Sequence, residues 1–515
     1  MYSKKSRRLI ALALCLMLVL ATFTACGGSG DEGGDDVADA KVARVYVADI
    51  FNTLNPFNTG AFSDSYIFCQ VYETLFTVDD NGVAQGQLAE SYEISDDALT
   101  YTIKLVEDAT FTNGEPVKAS DVVFTYEYAK DFAAKTAFYG MVESVTALDD
   151  YTVEFKLDGP TPLFLGHTQQ MPIVSEKFVT ENGGDISQVA CGSGPYAITS
   201  YDPATKVVLE AREDYRLGQA AVTDVELCYI SDGSTAAVQL ETGDLNFMAL
   251  QPTSVALFES NDDFVTQKTP SMYCALITMN TEVAPFDNKA FRQALSYAVD
   301  RESIVITSFE GLGTPAYLQA DENTFGVDMS AADDYSYNPE KAKEKLAEAG
   351  FPDGVNLTEE YGIYLKTIPG THHEKTGQAF QKNLADIGVI IELQNTQTPD
   401  EDVESGNYAI MNQGATYRTD FSYNECSYGA LGMNGNNYSR MKESYVDEMF
   451  AKGAAETDPA KRIEIYKELI AFIVDYCPTI PVVFREQVYA WSADLDACAH
   501  SNSMFPFFCY EWSWK

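Results

Sequence analysis

Leu99-Thr100-Tyr101-Thr102-Ile103-Lys104-Leu105 puts an apolar side chain at every second position, and Tyr151-Thr152-Val153-Glu154-Phe155-Lys156-Leu157 repeats the pattern further on. Successive side chains of a strand point to opposite faces, so each stretch reads as a half-buried β-strand. Between them Ser120 stands as a helix cap ahead of Val122, Val123 and Phe124. Strand, helix and strand in alternation predict an α/β or α+β chain and argue against a bundle or a sandwich.

The same grammar extends both ways. Val42-Ala43-Arg44-Val45-Tyr46-Val47 reads as a strand, and Leu54-Asn55-Pro56-Phe57-Asn58 breaks it. In the second half Phe291, Ala294, Leu295 and Ala298 share one helical face after the turn at Pro285-Phe286-Asp287-Asn288. Asn338-Pro339 and Asp458-Pro459 each pair an N-cap with a first-turn proline. The first opens a helix with Ala342, Leu346 and Ala349 on one stripe, closed by Gly350; the second opens one carrying Ile463, Tyr466, Ile470 and Ile473. Pro481-Val482-Val483-Phe484 returns the chain to strand. At 515 residues the chain exceeds what one core usually serves, so two or three domains are expected.

The ends and the charge narrow the setting. Lys4, Lys5, Arg7 and Arg8 precede an apolar run from Leu9 to Thr22, then Thr24 and Ala25 precede Cys26. This reads as a secretory signal over residues 1–25. Phe23-Thr24-Ala25-Cys26 resembles the bacterial lipobox, with Phe23 in place of the usual Leu, and implies acylation at Cys26. The Gly- and Asp-rich residues 26–40 fit a flexible lipidated tether. A formal charge of -43 repels phosphate backbones and excludes nucleic acid as an expected partner. Beyond Cys15 and Cys26, eight cysteines remain, with no CxxC spacing; in an exported chain they are compatible with disulfides or with buried free thiols.

No catalytic signature is present: no GxSxG, no P-loop and no HExxH. His373-Glu374-Lys375-Thr376-Gly377 begins like the zinc motif, but Gly377 stands where the second ligand belongs. The adjacent His372-His373, read as loop residues, do not point at one ion, so no metal or other cofactor is expected. Gly311-Leu312-Gly313, followed by Pro315, reads as a plain turn.

A series of motifs does carry a resemblance. Leu88-Ala89-Glu90-Ser91-Tyr92, Leu99 to Leu105, Phe111-Thr112-Asn113-Gly114-Glu115-Pro116-Val117 and Ala119-Ser120-Asp121-Val122-Val123-Phe124 come first. Gly192-Ser193-Gly194-Pro195-Tyr196, Glu241-Thr242-Gly243-Asp244, Phe291-Arg292-Gln293-Ala294-Leu295 and Asn338-Pro339-Glu340-Lys341-Ala342 follow. In this order they resemble the family 5 extracellular solute-binding proteins, which include oligopeptide-, dipeptide- and nickel-binding members. The resemblance implies an α/β, two-lobed class II periplasmic-binding-protein fold with an extra subdomain in lobe one. Lobe one is expected from residues 41–80, 185–280 and 480–515, the subdomain from 81–184 and lobe two from 281–479. It further implies a monomeric, non-enzymatic ABC importer subunit that takes short peptides to permease and ATPase partners and touches the membrane only through its lipid. Nickel or another metal chelate, haem, a sugar oligomer, or a sensing role without transport are the alternatives. In peptide-binding members an aspartate after an aromatic segment pairs with the ligand amine; here Tyr417-Arg418-Thr419-Asp420-Phe421 stands in that place, with Tyr417 for the usual Trp and Arg418 an unusual neighbour. Asp420, Tyr417 and Arg418 are therefore the expected ligand residues, the alternative for Asp420 being a solvated loop acid.

Overall fold

The computed structural model describes residues 41–58, 62–79, 83–132, 135–396, 402, 406–416, 420–432, 436–456, 458–500 and 505–515. The signal, the tether with Cys26, and Tyr417 and Arg418 lie outside the described residues.

The two decisive strands form as their periodicity requires. Thr100–Leu105 and Thr152–Leu157 pair antiparallel at the centre of a four-stranded sheet, flanked by Ala89–Ile94 and Val142–Asp149. Tyr101, Ile103 and Leu105 face inward with Val153, Phe155 and Leu157, all buried. The helix between them runs Ala119–Ala129 and starts earlier than Ser120 predicts. Lys118 holds the cap position, and the Asp121 carboxylate reaches back to accept its backbone N–H at 2.9 Å. An acid three residues into a helix satisfies one of the unpaired N-terminal donors as a serine would.

A second, larger sheet of eleven strands spans most of the rest of the chain. Its centre is two long antiparallel strands, Phe264–Met279 and Thr479–Ser492, paired from Phe264↔Ser492 to Thr278↔Thr479. The register shifts between Pro270 and Cys274, and Met272 there takes a φ of +54°. Three residues, 271–273, there oppose Arg485 alone, and an irregularity of this kind bends a strand and increases its twist. One end of the pair contributes Tyr489 and Trp491 to a core built from Ala43 to Leu227, Phe247 and Leu495 to Trp512. The other end contributes Ala275, Ile277, Ile480 and Val482 to a separate core reaching from Phe286 to Cys477. These are the two large cores; a smaller one with Val488 and Ala490 and a patch at Met272, Cys274 and Ala316 also lie along the strand pair.

The motif series is explained by these cores. Gly192 and Gly194 lie against the end of helix Phe62–Val71, where an added Cβ would stand 1.8 Å from Val71 O and 2.7 Å from Gln70 O. The carbonyls of Ser193 and Gly194 also accept from Arg212 Nη1, which donates to Thr110 O at 2.8 Å as well. In the Phe291–Leu295 motif Arg292 is 1% exposed and donates to the carbonyls of Phe286, Tyr476 and Cys477. It thereby joins the start of one helix to the end of Pro459–Tyr476, whose last carbonyls have no helical partner. The predicted caps Asn338 and Asp458 accept from Lys341 N and Ala460 N as expected. All eight described cysteines are free thiols, four of them buried, which settles the choice left open by their even number. No helix of the described residues is long and apolar enough to cross a membrane.

Candidate functional site

Strand Ile410–Thr416 lies beside the long strand, from Met279↔Ile410 to Tyr273↔Thr416. Asp420 follows, bridged to Phe325, and opens the short 3-10 turn Phe421–Asn424. Its Oδ1 accepts from Ser422 N–H at 2.9 Å and from Ser422 Oγ–H at 2.5 Å, the geometry of a helix cap. Its Oδ2 accepts from Arg462, which comes from helix Pro459–Tyr476 and lies over the Phe325 ring at 4.2 Å. Their side chains are 16% and 10% exposed, so Asp420 is no solvated loop acid. Each carboxylate oxygen carries two lone pairs. Among the described residues Oδ2 meets Arg462 alone, which leaves it room for one further donor.

The turn that Asp420 opens reaches a distant part of the chain. Tyr423 packs its ring 5.1 Å from that of His167, and its Oη lies 3.9 Å from where a Cβ on Gly166 would stand. His167 in turn meets Phe138 at 5.4 Å. Beside Phe138 sits Lys135, whose ammonium donates to Gln170 O at 2.9 Å and has Phe57 and Phe138 rings within 6 Å. Among the described residues no carboxylate pairs with it. Burial disfavours its charge and pulls its pKa down to about 8. Nothing in the sequence distinguishes Lys135 from a surface lysine; only packing does.

A second polar cluster lies against strand Ile410–Thr416 at Asn412 and Gly414. His372 and His373 are not on a loop, as expected, but in the first turn of helix His372–Asp386 capped by Thr371. Their rings lie 4.2 Å apart, and both Nε2 atoms are 3.2 Å from the Tyr273 hydroxyl. The phenol can lie there because residue 414 is glycine; a Cβ would come within 1.9 Å of Tyr273 Oη. Burial, then His373 and Arg485, push the His372 pKa down to about 3, so its imidazole is neutral through the physiological range. His373 is lowered too, chiefly by burial. The cluster is a hydrogen-bonded packing element beside the long strands.

One further concavity, of about 590 Å³, lies against Phe484 and Arg485 and is lined by Pro270, Tyr317, Asp321 and Tyr335. Asp420 is not among its described lining residues. The predicted site and this concavity are separate places.

Comparison with known proteins puts this arrangement in a class. The protein matches the solved ABC transporter substrate-binding protein CtaP of Listeria monocytogenes with a TM-score of 0.82 and 25% identity, over 92% of this chain and 99% of that one. It matches the oligopeptide-binding protein AppA of Bacillus subtilis, solved with a nonapeptide, with a TM-score of 0.75 and 23% identity, over 92% and 99%. The fold is that of the two-lobed class II periplasmic binding proteins with an extra subdomain in lobe one, and the protein is a solute-binding component of ABC transport rather than an enzyme. The sequence profile of the bacterial extracellular solute-binding proteins, family 5 (middle region), matches residues 84–433, and the chain belongs to that family. The glutathione-binding protein GsiB of Escherichia coli O1:K1 is 27% identical over 482 residues, covering 88% of this chain and 91% of that protein. As in the rest of this extracellular family, binding takes place outside the cytoplasm.

Proposed function

We propose that the protein captures short peptides between its lobes and delivers them to a membrane permease and its ATPase. The observation that supports this reading is Asp420: a carboxylate 16% exposed, with a lone pair to spare, following strand Ile410–Thr416, where the family resemblance expects the acid that meets a ligand amine. Tyr417 and Arg418 complete the segment. The nonapeptide in AppA and the glutathione in the name of GsiB support a peptide or peptide-like cargo. Lobe one is assigned to residues 41–80, 185–280 and 480–515, its subdomain to 81–184 and lobe two to 281–479; the segregation of the two buried cores supports the division. A ligand closes such lobes only through its larger affinity for the closed form. Calorimetry and solution scattering on a series of short peptides test this together. Saturable one-to-one binding with a fall in radius of gyration is expected. Binding of a nickel–histidine chelate, haem or a sugar oligomer, with no response to any peptide, would replace the reading with the corresponding alternative.

We assign the membrane anchor to acylated Cys26, on the lipobox-like Phe23-Thr24-Ala25-Cys26 and the Gly/Asp tether after it. Cys26→Ala should abolish incorporation of labelled fatty acid and release the protein from the cell surface; equal labelling of the variant sinks the assignment.

A further inference from the structure

The C-terminal segment turns back on itself. Leu495 and Asp496 pair antiparallel with Trp514 and Ser513, and His500 N–H donates to Pro506 O at 2.8 Å. Cys498 and His500 are two residues apart on one side of this return, and Glu511 faces them from the short turn Cys509–Glu511. Cys498 Sγ lies 3.3 Å from Glu511 Oε2, and His500 Nε2 lies 2.6 Å from the same oxygen. One donor atom from each residue falls within 4.8 Å of the others.

The surroundings fix the backbone that carries Cys498 and His500. Ala499, between the two ligands, is gripped on both sides of its backbone by Gln267 of the long strand: its N–H donates to Oε1 at 2.9 Å and its carbonyl accepts from Nε2 at 2.6 Å. Trp512 Nε1 donates to the Cys498 carbonyl at 3.3 Å, and the His500 ring packs edge-on against Phe508 at 5.5 Å. The His500 and Glu511 side chains are 25% and 42% exposed, so the cluster opens to solvent. A chain with a formal charge of -43 also raises the local concentration of cations around it.

We propose that Cys498, His500 and Glu511 form a binding site for a borderline d-block dication of the Zn2+ class. A thiolate, an imidazole and one carboxylate suit such an ion and do not suit Mg2+ or Ca2+, which take oxygen donors. Zinc–ligand bonds of about 2.0–2.3 Å in a tetrahedron set donor atoms roughly 3.3–3.7 Å apart. The Cys498–Glu511 separation already matches; the imidazole has to back away from the carboxylate by about 0.7 Å, which a small rotation of its partly exposed ring supplies. On binding, the thiol proton and the imidazole proton at Nε2 leave to solvent, and Sγ, Nε2 and Oε2 each give an electron pair to the metal. Three protein ligands leave a fourth position for water. The ion thereby ties residues 498–500 and 511 together next to Gln267. The site shares no residue with the proposed peptide site and stands or falls separately from it.

The test is a Co2+ titration of the metal-stripped full chain, followed by absorption. One equivalent is expected to give a thiolate-to-cobalt charge-transfer band with the intense visible bands of a four-coordinate ion, and Zn2+ should bleach both. Cys498→Ser should abolish the charge-transfer band, while His500→Ala and Glu511→Gln should each weaken Co2+ binding by at least tenfold, with peptide binding unchanged in all three. Absence of the band in the wild type, its persistence in Cys498→Ser, or unweakened Co2+ binding by both other variants overturns the site.

Discussion

Asp420→Ala should destabilise the ligand-free protein by about 3–5 kcal/mol, the usual cost of removing one member of a buried ion pair. The loss comes from what remains. Arg462, 10% exposed and stacked over Phe325, keeps a charge with no carboxylate facing it, and among the described residues its Nε–H has no acceptor even in the intact pair. The 3-10 turn also loses its cap at Ser422. Denaturant unfolding of Asp420→Ala, Arg462→Met and the double variant checks the cause: the double should be less damaged than the sum of the singles. An additive result, or a single costing under ~1 kcal/mol as at a surface pair, would mean that the pair is not the buried unit described. Asp420→Asn combined with Arg462→Met removes both charges while keeping an oxygen for the turn, and carries the ligand arm of the experiment. In the wild type, N-acetylation of the peptide should weaken binding by about 10- to 150-fold, the roughly 1.5–3 kcal/mol of a hydrogen bond to a charged group, since Arg462 still faces Asp420 when the amine is gone. In the doubly substituted protein acetylation should cost almost nothing. Equal affinity of the wild type for free and acetylated peptides would leave Asp420 a purely structural acid.

Acidification should unfold the protein in part through His372. Its folded pKa of about 3 lies below the ordinary value of 6.5, so the unfolded chain takes the proton first. The stability it contributes is therefore complete above about pH 6.5 and is lost as the pH falls toward the folded value, at ~1.4 kcal/mol per pH unit for one site. By about pH 4.5 the loss reaches roughly 2–3 kcal/mol. The physical cause is burial against Phe309 and Tyr273, reinforced by His373 and Arg485, which disfavour a second positive charge. His373 shifts in the same direction and adds to the slope. His372→Gln keeps a donor near Tyr273 and does not titrate, so its stability between about pH 6.5 and 4.5 should fall less steeply than that of the wild type. Parallel curves for the two proteins would contradict the burial of the imidazole as a neutral group.

Much of the fold is legible along the chain because the signals that encode it are local. Tyr101, Ile103 and Leu105 face one way since a strand alternates, and Asn338 and Asp458 cap helices since a cap depends on the next three residues. The ordered motif series carried the family, and with it the two-lobed fold. Even the local signals had a competitor at Ser120, where Asp121 reaching back to Lys118 set the helix start instead. The partners of the polar side chains were another matter. Asp420 meets Arg462 42 residues further on, Tyr273 meets His372 and His373 99 and 100 residues on, and Cys498 meets Glu511 across a 13-residue return. No periodicity or cap links such residues in sequence. Sequence alone therefore determined the strands around Tyr101 and Val153 and the helices after Asn338 and Asp458, because backbone geometry repeats over a few residues. Tertiary structure alone decided that Asp420 is held by Arg462, that His372 is neutral and that Lys135 is buried with no carboxylate partner among the described residues, because charge and burial depend on what packs around a group in space.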